Sequence, residues 1–209
     1  MTDRRPPHVG LKQARLILWL LVAAAAIGFI AFWLTTQQQA AAPRAVSGPV
    51  KSNFGGAFTL TGADGKPFSS QALAGKPYAM YFGFTRCGDV CPTTLSRLVK
   101  LRREAATDQA MNIIFVTIDP ANDGPKEVGQ YATLFNAPII GLTGSQTQIQ
   151  QVKAEFGIHA QAVPDAPMGK QMEHTATVLL FDRNGQFAGT ISPNDSDEDA
   201  LTTMKKLIG

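Results

Sequence analysis

Leu16 to Leu34 reads LILWLLVAAAAIGFIAFWL, 19 residues without a charge. No face of such a helix is polar, so it has no place on the surface of a water-soluble domain. At 1.5 Å per residue it would be roughly 28 Å long, about one hydrocarbon core. Trp19 and Trp33 lie near its two ends, where a membrane interface favours indole rings. Arg4, Arg5, Lys12 and Arg15 precede it, so the positive-inside rule places residues 1–15 in the cytoplasm and the rest of the chain outside. The rival is a cleaved signal peptide, because Ala40-Ala41-Ala42 offers small residues for a cut. The run exceeds the roughly 7–15 residues of a signal core, and Pro43 would follow the cut directly, so the expectation is an uncleaved anchor over residues 16–34.

This divides the chain. Residues 35–53, TTQQQAAAPRAVSGPVKSN, are small and polar and read as a flexible linker. Residues 54–209 remain for one domain. The net charge of +3 divides in the same way: residues 1–53 hold six basic residues against Asp3 alone, while the rest holds 13 basic and 15 acidic residues. The domain is mildly acidic, which argues against nucleic acid as a partner.

Along the domain, Phe54–Leu60 and Lys66–Ser69 flank an Ala63-Asp64-Gly65 turn and predict a hairpin. Tyr78–Phe84 and Met111–Ile118 are continuous apolar runs, expected as buried strands. Pro92–Thr107, Pro125–Phe135, Ser145–Phe156 and a last segment capped by Ser196 read as helices. Ile139–Leu142 reads as a short strand and Ile158–Val163 as an edge strand. Thr175–Phe181 and Gln186–Ile191 form a second hairpin over Asp182–Gly185. Alternating strands and helices, closed by a hairpin and a helix, predict an α/β domain with a central mixed sheet and a thioredoxin-like fold.

The only two cysteines stand in Cys87-Gly88-Asp89-Val90-Cys91-Pro92, between an apolar strand and a helix. With Pro92 as the first helical residue, Cys91 is expected at the N-cap, where the helix dipole would lower its pKa. A purely structural disulfide is disfavoured, because the loop it closes is too short to restrict the unfolded chain much. Thioredoxin-type enzymes space their cysteines by two residues, and here three intervene. Two thiolates suit a soft ion, Cu(I), or Zn(II) with further ligands. Of the three histidines, His8 falls in the cytoplasmic tail and His159 is expected exposed. His174 begins the TATVLLF strand, near the cysteine loop in this fold. Cys87, Cys91 and His174 together approach the trigonal ligand set of copper–thiolate centres. Met168 and Met172 approach His174 and are either a transfer route or packing. Asp89 is expected to face solvent, and Asp119 either orients the site or starts a turn.

FTLTGADGKPFS, YFGFTRCGDVCP, VTIDPANDGP, GLTGS and EHTATVLLFDRNGQF together resemble the SCO/SenC family of membrane-anchored copper proteins that assist cytochrome c oxidase assembly. Gly88 departs from the proline usual there. The resemblance implies that Cys87, Cys91 and His174 bind one copper ion, Cu(I) or Cu(II). It implies a metallochaperone in the inner membrane, with its domain on the periplasmic side. Its partner would be the subunit of cytochrome c oxidase that carries the copper A centre, with other periplasmic copper carriers or thiol reductants supplying it. The alternative is an enzyme, a thiol–disulfide oxidoreductase that uses Cys87 and Cys91 as a redox pair to reduce that centre's cysteines. The absence of a proline before His174, where thioredoxin-type enzymes carry one, favours metal binding.

Overall fold

The structure is a computed structural model that describes residues 15–26, 28–29, 54–105, 111–163 and 172–209. It divides into two units, Met1–Val50 and Lys51–Gly209. In the first, residues 15–26 form helix α1, and its described side chains are exposed. Among the described residues no helix is long and apolar enough to cross a membrane. Residues 27 and 30–34 of the expected anchor lie outside the described residues, as do residues 1–14 and the linker 35–53.

The second unit opens with β1 (Thr59–Gly62) and β2 (Pro67–Ser69), an antiparallel hairpin. The Asp64 carboxylate accepts from the Lys66 amide at 3.0 Å, and Gly65 takes a positive φ of 77° that a side chain would resist. The apolar runs form β3 (Tyr78–Gly83) and β4 (Asn112–Thr117), joined by α2 (Val90–Ala105). Then come α3 (Pro125–Thr133), β5 (Ile139–Thr143) and α4 (Gln146–Glu155). Ser145 and Gln148 close a capping box at the start of α4. The chain continues through β6 (Ala160–Ala162), β7 (Met172–His174), β8 (Val178–Phe181), β9 (Phe187–Ile191) and α5 (Asp197–Ile208), which Ser196 caps.

Among the described residues seven strands form one mixed sheet, ordered β2-β1-β5-β4-β3-β8-β9, with β3, β4 and β5 parallel and the other pairings antiparallel. β3 and β4 are central and buried on both faces, which is why their sequences do not alternate. Period-two geometry still divides them. Tyr81 and Gly83, paired with Phe115 and Thr117, look toward α2 and α3, whereas Phe82 faces Phe156 at the end of α4, 5.9 Å between ring centroids.

Two expectations change. The segment read as an edge strand does not join the sheet: β6 pairs with β7 in a separate two-stranded sheet. The strand read from Thr175 begins only at Val178, so His174 belongs to that small hairpin and not to β8. The shift is physical, because the Thr175 amide donates to the His159 carbonyl at 2.9 Å and its hydroxyl accepts from the His159 amide at 3.1 Å. Those bonds hold the chain to the small hairpin until it reaches the main sheet.

Candidate metal centre

β3 ends at Gly83, and the chain reaches Cys87 through Phe84-Thr85-Arg86. Two carboxylates from the loop after β4 hold this stretch. Asp123, fully buried, accepts from the Thr85 amide at 2.9 Å, from the Thr85 hydroxyl at 2.6 Å and from the Thr117 hydroxyl at 2.6 Å. Asp119 accepts from the Arg86 guanidinium at 2.6 Å and from the Asn122 side chain. Asp119 also starts a turn, its carbonyl accepting from the amides of Asn122 and Asp123, as one of its two readings expected.

Helix α2 begins at Val90, two residues before the expected Pro92. Proline fits anywhere in a first turn, because amides there have no partner within the helix. Cys91 therefore lies inside the helix and is fully buried, whereas Cys87 outside it is half-buried. The Cys91 sulfur sits over Gly83, where a β-carbon would lie only 2.8 Å from it.

His174 comes from the other side, on β7. The ligand atoms of Cys87, Cys91 and His174 all lie within 4.8 Å of one another, and His174 Nε2 is 3.5 Å from Cys91 Sγ. His174 Nδ1 lies 3.0 Å from the Thr175 carbonyl. A carbonyl can only accept, so Nδ1 carries the proton and Nε2 turns its lone pair toward the sulfurs. Phe84 and Tyr81 stand edge-on to the imidazole, with centroids 6.0 and 6.2 Å away. Asp89 and His159 are exposed, as expected. Met172 is half-buried and packs against the core; Met168 and His8 lie outside the described residues.

The electrostatics reverse the expected roles of the two cysteines. Cys87, not Cys91, has the lowered pKa, down to about 4. The main cause is a hydrogen bond from the Cys91 thiol. Burial opposes it, and the amides of Asp89 and Cys91, the latter 3.4 Å from the Cys87 sulfur, assist. Cys91 is pushed up, first by that same hydrogen bond to Cys87 and then by burial. A sulfur inside the first turn is desolvated and gains nothing from helix amides, while the sulfur just outside the turn accepts from one.

These three donors fit a soft, low-coordinate metal ion. Two sulfurs and a bare imidazole nitrogen converge, the second imidazole nitrogen is fixed by a carbonyl, and among the described residues no carboxylate joins the cluster. Sequence reasoning missed Asp123 and Gly83. Asp123 sits within the quoted VTIDPANDGP stretch, but nothing local reveals that its partner is Thr85, 38 residues away.

The family model described as SCO1/SenC matches residues 47–209. The mitochondrial protein SCO2 of Saccharomyces cerevisiae is 32% identical over 179 residues, covering 84% of this chain and 58% of that protein. The chain thus spans under two thirds of that relative's length. Protein sco1 of Schizosaccharomyces pombe is 30% identical over 193 residues, covering 86% of this chain and 72% of that protein. Among solved structures, that of Bradyrhizobium japonicum ScoI with copper bound matches with a TM-score of 0.66 and 34% identity, covering 74% of this chain and 99% of that one.

Proposed function

The chain belongs to the SCO1/SenC family, and from that premise we propose that it is a copper metallochaperone whose cargo is held by Cys87, Cys91 and His174. The observation that carries this reading is the convergence of two sulfurs and a bare imidazole nitrogen within 4.8 Å. Simple dithiol exchange has no need of that nitrogen. The copper-bound relative supports the choice of ion. The acceptor in this reading is the copper A centre of cytochrome c oxidase, on the subunit that projects from the same membrane. Ligand exchange suits the site: Cys87 is half-buried and reachable, and an incoming thiolate can displace it while Cys91 and His174 retain the ion.

The membrane anchor is part of the same reading. Residues 16–34 span the bilayer, residues 1–15 are cytoplasmic, and residues 54–209 work in the periplasm. Leu16, Trp19 and Phe29, at 64%, 71% and 69% exposure, support an apolar surface that lipid would cover. A tether of about 20 residues would keep the domain at high effective concentration beside an acceptor in that membrane.

The test is copper titration of the full chain in detergent, reduced and free of oxygen, against a competing chelator. Tight binding of one ion, lost in the double Cys→Ser variant and greatly weakened in His174→Ala, is expected. Weak binding indifferent to His174 would sink the proposal and turn attention to disulfide exchange by Cys87 and Cys91.

A further inference from the structure

Tyr81 lies against both halves of the metal centre. Its ring stands edge-on to the His174 imidazole, and it shares with the Cys91 sulfur the gap left by the missing side chain of Gly83. A β-carbon there would meet Cys91 Sγ at 2.8 Å and Tyr81 Cε1 at 3.2 Å. The side chain is fully buried, and among the described residues its hydroxyl makes no hydrogen bond of full geometry. The Cys91 thiol and Thr94 are the polar side chains within its reach.

A buried donor without an acceptor is destabilising, so its place beside a ligand sulfur calls for a cause. The chemistry of sulfur supplies one. A thiol sulfur is a weak acceptor, whereas a thiolate accepts strongly. Metal ligation displaces the thiol proton. The weak acceptor beside the hydroxyl therefore becomes a strong one when the site is loaded.

We propose that Tyr81 is a positioning residue of this centre, whose hydroxyl donates a hydrogen bond to the Cys91 sulfur once that sulfur is a metal-bound thiolate. The inference rests on the copper reading above. Such a bond draws electron density from the sulfur, stabilises the loaded form, and raises the copper potential, as hydrogen bonds around a ligand cysteine do.

The experiment compares the full chain with Tyr81→Phe, which removes one oxygen and leaves the ring. Tyr131→Phe is the control, because the Tyr131 hydroxyl is also buried without a partner but sits on α3 behind Phe115, 5.0 Å between ring centroids. Tyr81→Phe is expected to leave the melting temperature of the metal-free protein unchanged or higher, because an orphan donor is gone. It should weaken Cu(I) binding by roughly tenfold. It should move the thiolate-to-Cu(II) absorption to longer wavelength and lower the copper midpoint potential, while Tyr131→Phe does none of these. Unchanged absorption, potential and affinity in Tyr81→Phe would overturn the inference, as would equal shifts in both variants. A wild-type chain that shows no thiolate–copper absorption and no dependence on His174 would instead overturn the copper reading, and this inference with it.

Discussion

The Cys91 sulfur occupies the space that a β-carbon on Gly83 would need, 2.8 Å from that position. One residue of the proposed metal site thus rests directly on the backbone of the central strand. Neither side can give way cheaply, since Gly83 is hydrogen-bonded in the sheet and Cys91 is fixed in the first turn of α2.

Gly83→Ala should therefore act on stability and on the site together. Overpacking of this kind costs about 1–3 kcal/mol. The sulfur, pushed away from its partners, should lose at least about tenfold in copper affinity, roughly the loss of one hydrogen bond's worth of free energy. Chemical denaturation and chelator competition measure the two effects, and unchanged affinity would show that the close approach is only packing.

Asp123→Asn keeps the shape and removes the charge. Threonine hydroxyls can rotate to accept from an amide group, but the Thr85 amide cannot, so at least one bond is lost or reversed. A cost of about 2–3 kcal/mol is expected for a buried, charge-assisted cluster. Thr85→Ala, which keeps the backbone bond, should cost less. Equal destabilisation by the two variants would contradict this ordering.

Arg86–Asp119 is a weaker tie in free energy. The arginine side chain is 49% exposed, against 6% for the aspartate. Arg86→Ala should change stability by under about 1 kcal/mol. It releases the residue before Cys87, so alkylation of Cys87 in the metal-free, reduced protein should quicken several-fold at unchanged melting temperature. A fall in melting temperature without faster alkylation would place the role of the pair in folding alone.

The cysteine pair makes the pH dependence specific. Cys87, lowered to about 4, should alkylate at near-constant rate from about pH 5 upward, while Cys91 labels only when the protein opens. In stability the sign follows from proton counts. Between about pH 4 and the ordinary thiol value the unfolded chain holds the Cys87 proton and the folded one does not, so stability rises with pH across that window and is lost as pH falls through about 4. Above the ordinary thiol value the raised Cys91 acts with the opposite sign, because the folded state then keeps a proton that the unfolded chain releases. Iodoacetamide rates on the wild-type chain, with the labelled cysteine identified by mass spectrometry, and denaturation across the same pH range check both. A Cys91→Ala chain should lose most of the lowering, since the hydrogen bond that causes it is gone.

Much of the site was legible because its chemistry is local. Cys87 and Cys91 are four residues apart, and an apolar strand before them with a proline after them sets their place at the carboxyl end of a sheet strand. Which of the two carries the charge was not legible. That depends on where α2 starts, and a first-turn proline permits a start two residues earlier than the expected one. The nature of the strand holding His174 was hidden as well, because β7 is only three residues long and owes its pairing to β6, on the far side of residues 164–171.

Residue type and spacing by themselves determined the central strands β3 and β4, the Ser145 and Ser196 caps, the Asp64-Gly65 turn, and the choice of two thiols and one imidazole as candidate ligands, because these follow from short-range sterics and from the intrinsic chemistry of the side chains. Tertiary structure alone decided that Asp123 reaches Thr85, that Gly83 makes room for the Cys91 sulfur, and that His174 turns Nε2 toward it. The first and last of these join elements far apart in the chain, 38 and 83 residues in separation. Burial and partner geometry exist only once the sheet has brought them together.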